Sequence, residues 1–261
     1  MQINHIYQGD CINLLDIVDD NSIDLVLTSP PYGTARNSGD LERSLKNHER
    51  RYDVFEDFTS NDEYLDFSVR LFDKLDRVIK SGGCILYNMS YSSENPTLLW
   101  RTLTTVMDYT EWMTVEDIIW KKKSALPNNV SCNKLTRICE HVFVFCRKHE
   151  LQSFHTNKKC VNDGQGEQRR YENIFNFIEA ANNDGSNPYN KATYSTELCT
   201  KLLKIYARPK SLVLDPFMGT GTTAIACKQL GHSYIGMELS QQQINYANKL
   251  LQHTRKQNKL F

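Results

Sequence analysis

Apolar positions along the 261-residue chain change period repeatedly, and the changes mark its elements. Ile3–Gln8, Ile23–Leu27, Cys84–Asn88, Trp112–Trp120, Ile138–Cys146, Leu212–Leu214 and Ser233–Met237 are short apolar runs, which is how strands buried in a sheet read. Between them apolar residues recur three and four apart. Ser60-Asn61-Asp62-Glu63 is a capping box. It opens a helix that buries Tyr64, Phe67, Leu71, Leu75 and Val78, with a predicted stop at Gly82-Gly83. Asn13–Val18 predicts one or two helical turns, and Pro96–Met107, Thr193–Tyr206 and Thr222–Leu230 predict helices. Ser240-Gln241-Gln242-Gln243 is a second capping box before the last helix. The alternation predicts an α/β fold, with a doubly wound, mostly parallel, seven-stranded sheet.

Two stretches keep neither period. Residues 33–58 hold glycines and basic side chains, Arg36 among them, and leave directly from a strand end. A connection this long predicts a mobile lid or DNA-contacting loop, with a plain surface loop as the alternative. Residues 148–189 are polar, basic and turn-rich, and are the expected recognition insert. They divide the rest of the chain into 1–147 and 190–261.

Composition narrows the class. Charged residues at 24% and apolar residues at 40% are ordinary for a soluble globular protein. No run reaches membrane-spanning length and no signal-peptide pattern opens the chain, so a cytoplasmic protein is expected. The eight cysteines form no Cys-x-x-Cys pair, which predicts buried free thiols and no metal site. Net charge is zero but uneven. Residues 1–120 carry 10 basic and 21 acidic side chains, whereas 121–210 carry 16 and 8. A basic middle is the footprint expected of a nucleic-acid face, and Lys121, Lys122, Lys123, Arg169 and Arg170 are its candidate phosphate contacts. A merely solvated basic surface is the plainer alternative.

The chemistry concentrates at two strand ends. Thr28-Ser29-Pro30-Pro31-Tyr32 closes the second strand. Two prolines lock a non-helical corner at a carboxyl end, where open α/β sheets bind ligands. Ser29 offers a hydroxyl, the backbone before the prolines offers carbonyls, and Tyr32 offers a flat face. That set suits gripping an exocyclic amine while a ring stacks on the base. The second end is Asp215-Pro216-Phe217-Met218-Gly219-Thr220-Gly221-Thr222-Thr223, a strand, glycine turn and helix start. Glu238 ends the next strand 23 residues after Asp215, which is the spacing of an acidic residue that grips ribose hydroxyls. Residue 224 is alanine and no lysine follows the glycines, so neither the dinucleotide fingerprint nor a Walker loop is present. A nucleoside without a pyrophosphate fits better, and S-adenosylmethionine is such a ligand.

Together these motifs resemble the β-type, permuted amino-methyltransferases of DNA, in which the catalytic corner precedes the cofactor strand. Gly9-Asp10-Cys11, Ala192–Leu198, Trp120–Lys123 and Glu140-His141 also resemble family positions. The resemblance implies a Rossmann-like methyltransferase sheet in circularly permuted order. It makes Ser29, Pro30, Pro31 and Tyr32 catalytic. It assigns cofactor binding to Asp10 (adenine), Glu238 (ribose), Asp215, Phe217, Gly219, Gly221 and Thr222 (methionine portion), with Thr28, Thr193 and Ser195 beside them. For Asp10, Ser195 and Glu238 the alternatives are a turn residue, a helix cap and a solvent-facing strand end. The Ser form of the corner is associated with cytosine N4, and Asp in that place with adenine N6.

The expected reaction is direct transfer of a sulfonium methyl group to an exocyclic amine of a base flipped out of double-stranded DNA. The amine lone pair is delocalised into its ring, so its N–H bonds must be held until the nitrogen points at the methyl carbon. A homodimer and a cognate restriction endonuclease are possible partners. Two other classes stay open: a non-catalytic nucleic-acid-binding protein on the same fold, and a nucleotide-dependent dehydrogenase, which the missing third glycine disfavours.

Overall fold

The apolar runs pair into one sheet. The computed structural model describes residues 1–31, 60–92, 95–124, 132–162, 168–185, 187, 189 and 193–255. Its strands are β1 (His5–Gln8), β2 (Ile23–Thr28), β3 (Ile79–Met89), β4 (Trp112–Lys122), β5 (Cys139–Arg147), β6 (Cys160–Asn162), β7 (Arg170–Tyr171), β8 (Phe177–Ala180), β9 (Leu212–Asp215) and β10 (Ser233–Glu238). Eight of them form the main sheet in the order β1-β10-β9-β2-β3-β5-β4-β8. Only β5 runs against the rest. The doubly wound, mostly parallel sheet is therefore present.

Helices cover both faces, each by the apolar stripe its sequence supplies. On one face lie α1 (Cys11–Leu15), α2 (Asn61–Val78) and α3 (Leu98–Tyr109). There Phe72 of α2 meets Tyr87 and Phe145 edge-on, at centroid distances of 5.4 and 4.9 Å. On the other lie α4 (Thr196–Tyr206), α5 (Thr222–Leu230) and α6 (Gln241–His253). Both expected caps form. Ser60 Oγ accepts from the Glu63 N–H at 3.2 Å, and Ser240 Oγ accepts from the Gln243 N–H at 3.3 Å. Among the described residues no helix is long and apolar enough to cross a membrane.

Three expectations need correction. First, α2 ends at Val78, not at Gly82-Gly83, because Ile79 turns extended and pairs with Ile23 of β2. Arg147 replaces the glycine stop by donating to the Asp76 and Ile79 carbonyls at 2.6 and 2.7 Å. The glycines instead serve an irregularity between β2 and β3, where a Cβ on Gly83 would lie 2.9 Å from the Asp24 carbonyl oxygen. Second, the sheet has eight strands where seven were predicted. The additional strand, β8, lies inside the expected insert and pairs parallel with β4, Trp120 opposite Ile178. It escapes periodicity because it is four residues long and buries only Ile178 and Ala180. Within 148–189 the β6–β7 hairpin forms its own two-stranded sheet. Third, Cys11, Cys84, Cys146, Cys199 and Cys227 are buried as predicted, but Cys132, Cys139 and Cys160 are exposed.

The edge strand β8 is fastened by charge. Glu197 of α4 accepts from Lys123 and Lys201, each at 2.9 Å, and from the Ala181 N–H at 3.0 Å. These donors hold its carboxyl down at about 2, below the 4.5 of a free glutamate. A depressed carboxylate contributes stability above the unfolded value and loses it as pH falls towards the folded one. We therefore expect Glu197→Gln to lower stability by about 1 kcal/mol at pH 7. The difference from the unaltered protein should shrink between pH 4.5 and pH 2.5, read by urea unfolding at stepped pH. An undiminished gap at low pH would contradict an ionic latch.

Candidate active site

The parallel strands β1, β10, β9, β2 and β3 end on one edge, and that edge gathers the chemistry. β2 finishes at Thr28, which is wholly buried, and Ser29 and Pro30 follow at once. β9 finishes beside it at Asp215, 1% exposed. The Thr28 hydroxyl donates to Asp215 Oδ1 at 2.6 Å, and the Phe217 N–H donates to the same oxygen at 3.0 Å. On Oδ2 the Thr223 hydroxyl donates at 2.6 Å, and the Tyr194 hydroxyl lies 3.1 Å away. Burial raises the Asp215 carboxyl above its ordinary value, and these donors oppose the rise. The corner and the glycine turn thus meet at one carboxylate.

The turn itself is built for close approach. Gly219 and Gly221 take left-handed φ values of 54° and 88°. A Cβ on Gly221 would lie 2.8 Å from that of Ala247 on α6. The Gly219 N–H donates to Glu238 Oε2, and the Ser240 N–H donates to Oε1, both at 2.9 Å. Glu238 therefore closes the turn from the end of β10. Burial raises its carboxyl, and the two N–H donors pull the other way. Each oxygen keeps a lone-pair direction for a further donor. Gln8 pairs with Glu238, and the Gly9 N–H donates to the Glu238 carbonyl at 3.0 Å, so Asp10 stands on the same edge. Asp10 is exposed, and its Oδ1 caps α1 by accepting from the Asn13 N–H at 3.1 Å. The turn-and-cap reading of Asp10 is therefore present, and its second oxygen is engaged by none of the described residues.

Helix α5 starts at Gly221 with no side-chain cap. Beside its first turn lies a cavity of about 540 Å³, lined by Thr193, Thr220, Thr222, Asp184 and Tyr246 among others. Asp10, Glu238 and Ser29 do not line it. A nucleoside carrying an amino-acid tail fits this distribution: acidic groups at the ends of β1 and β10, a glycine turn between, and hydroxyls with a helix start beyond.

Several predicted site residues stand elsewhere than expected. Asp215 and Thr28 are buried and spent on each other, so they shape the site from beneath. Ser195 is wholly buried and caps α4, accepting from the Leu198 N–H at 3.2 Å. That helix begins at Thr196, not Thr193, for this reason. Phe217 turns to Phe67 of α2, ring centroids 6.1 Å apart. The three lysines are paired: Lys121 with Glu179 at 2.5 Å, Lys122 with Glu140, and Lys123 with Glu197. Arg169 and Arg170 are exposed beside or on the β6–β7 hairpin. Tyr32, Arg36 and the expected loop 33–58 lie outside the described residues. Tyr194 and Thr223 were missed as separate contributors. The signal was available, since a tyrosine next to a helix cap and a second threonine after the glycines are polar groups in stretches that must be buried.

A family model of N6/N4 methyltransferases, described as DNA methylase, matches residues 23–249. The type II methyltransferase M.HinfI of Haemophilus influenzae is 28% identical over 95% of this chain and 68% of its own length. The type II methyltransferase M1.MboII of Moraxella bovis is 25% identical over 96% of this chain and 97% of its own. Among solved structures, the PvuII DNA methyltransferase (cytosine-N4-specific) superposes with a TM-score of 0.71 at 20% identity, covering 93% of this chain and 84% of that one. A complex of M1.HpyAVI with SAM superposes with a TM-score of 0.59 at 20% identity, covering 95% and 98%. With 227 of its 261 residues inside the matched segment, the chain belongs to the N6/N4 family of DNA methylases.

Proposed function

We propose that this DNA methyltransferase uses S-adenosylmethionine to methylate the exocyclic N4 amine of cytosine in double-stranded DNA. The observation that carries the reading is the direct tie between corner and turn: Thr28, next to Ser29, bonds the carboxylate from which the glycine turn departs. Ser29 in place of Asp supports cytosine, and so does the likeness to a structure named cytosine-N4-specific.

When bound, the cofactor supplies an electrophilic methyl group on a sulfonium sulfur. Glu238 and Asp10 hold its ribose and adenine, and the glycine turn with Thr193 and Thr222 holds its amino-acid end. Ser29 and the backbone before Pro30 accept the amine N–H bonds and orient the nitrogen lone pair. The locked prolines keep these acceptors preorganised, so little reorganisation is needed as charge develops. Tyr32 stacks on the flipped base. Because the methyl donor would depart as a neutral sulfide, no general acid would be required, and the surplus proton on the methylated nitrogen would pass to solvent water. Arg36, Arg169 and Arg170 contact DNA phosphates, and the paired Lys121–Lys123 do so only by exchanging partners. The type II relatives support a companion restriction endonuclease.

The deciding experiment incubates the protein with mixed-sequence DNA and tritiated S-adenosylmethionine, then identifies the labelled nucleoside by mass spectrometry. We expect N4-methylcytosine. N6-methyladenine would keep the site and overturn the reading of Ser29. Cofactor binding without label on any DNA would favour a non-catalytic nucleic-acid-binding protein. The two halves of the site should also separate. Ser29→Ala should cut turnover at least about a hundredfold with cofactor affinity within about threefold. Glu238→Ala should weaken cofactor binding at least about tenfold, read by calorimetry. The reverse pattern would exchange the assignments.

A further inference from the structure

We infer that Tyr194 is a positioning residue for methyl transfer, acting through Thr223, Asp215 and Thr28 on Ser29. The inference rests on the proposed reading of Ser29 as the group that holds the target amine.

The geometry is a closed set of buried hydroxyls around one carboxylate. Tyr194 is 8% exposed, Thr223 1% and Thr28 0%. Around Asp215 Oδ2 three oxygens make a triangle: Thr223 Oγ1 at 2.6 Å, the Tyr194 hydroxyl at 3.1 Å, and 2.7 Å between the two hydroxyls. With Asp215 ionised, two protons serve three contacts. The two short edges take them: the Tyr194 hydroxyl donates to Thr223 Oγ1, and Thr223 donates to Asp215. The long edge is left as a charge–dipole contact. A chain of donors of this kind polarises each successive link. At the far oxygen the chain ends on Thr28, one residue before Ser29.

Tyr194 is also the mechanical centre of its own stretch. Thr193 before it lines the cavity beside the glycine turn, and Ser195 after it caps α4. Its ring packs in the core cluster with Leu198 and Leu202 of α4 and Leu27 of β2. The tyrosine hydroxyl therefore joins three parts that must keep register: the segment at the cofactor side, the glycine turn, and the proline corner. Removing that hydroxyl leaves the ring in place but lets Asp215 rotate about its remaining donors, and Thr28 follows. A shift of a fraction of an ångström at Ser29 misaligns the amine and leaves the cofactor contacts at Glu238 and Asp10 untouched.

The test measures single-turnover methyl transfer from tritiated S-adenosylmethionine to mixed-sequence DNA, cofactor affinity by calorimetry, and thermal midpoint, for Tyr194→Phe, Thr28→Val, Thr28→Ser and the Tyr194→Phe/Thr28→Val pair. We expect Tyr194→Phe and Thr28→Val each to slow transfer about tenfold, with cofactor affinity within about threefold. Thr28→Ser, which keeps the hydroxyl, should stay within about twofold. The double variant should fall well short of the roughly hundredfold loss of independent sites, because both changes act on one carboxylate. Tyr194→Phe with unchanged transfer, or with equal losses in affinity and rate, overturns the inference. Should Tyr194→Phe fail to fold, an equal loss in Thr28→Val and Thr28→Ser overturns it as well. An unaltered protein that transfers no methyl group to any DNA defeats the functional reading itself.

Discussion

One buried carboxylate organises the reactive edge of this protein. Asp215 sits where β9 ends, almost without solvent; it accepts hydrogen bonds from Thr28, Phe217 and Thr223, and the Tyr194 hydroxyl lies 3.1 Å from its second oxygen. An isolated carboxylate there would be costly, since desolvation disfavours its charge. Three donors and the Tyr194 dipole offset that cost and turn it into a constraint: each loses its partner if any element moves. The corner after β2, the turn after β9, the start of α5 and the approach to α4 are all referenced to the same two oxygens. A hydrophobic residue at 215 could fill the volume, but it would leave the buried Thr28 and Thr223 hydroxyls without acceptors.

Glu238, partly buried, plays a second organising part. Its side chain takes the Gly219 and Ser240 N–H groups, so the conformation of the turn and the start of α6 depend on it. A residue with this duty has its carboxylate oriented by the fold itself, so little side-chain freedom remains to it. Close packing completes the turn: Gly236 leaves room for Met218, whose side chain would lie 2.7 Å from a Cβ there. The turn is thereby held from below by Met218 and from the side by Glu238.

Much of this was legible in the sequence, and the remainder was hidden for identifiable reasons. Strands with strong apolar runs, both serine caps, the proline corner and the glycine turn all follow from local rules. β8 did not, because two buried side chains in four residues give no usable period. The end of α2 did not, because Arg147, distant in sequence, supplies the donors that a glycine stop would otherwise replace. Asp215 was legible as a carboxylate at a strand end but not in its orientation. Motif spacing places a carboxylate at a strand end, and only packing decides whether it faces a ligand or the interior. Ser195 shows the same ambiguity, resolved towards the helix cap.

The lysines carry the plainest lesson about charge. Residues 121–210 have twice as many basic as acidic side chains, yet Lys121, Lys122 and Lys123 each face a carboxylate. Sequence position spreads charge along a line, while folding brings Glu179, Glu140 and Glu197 to those lysines from β8, β5 and α4. A phosphate reaching such a lysine exchanges one anion for another, so the net gain is only the difference between two partly solvated pairs, each worth about 1 kcal/mol or less. Binding that depended on these lysines would also loosen β8 from the catalytic sheet, since two of the three pairs hold that edge.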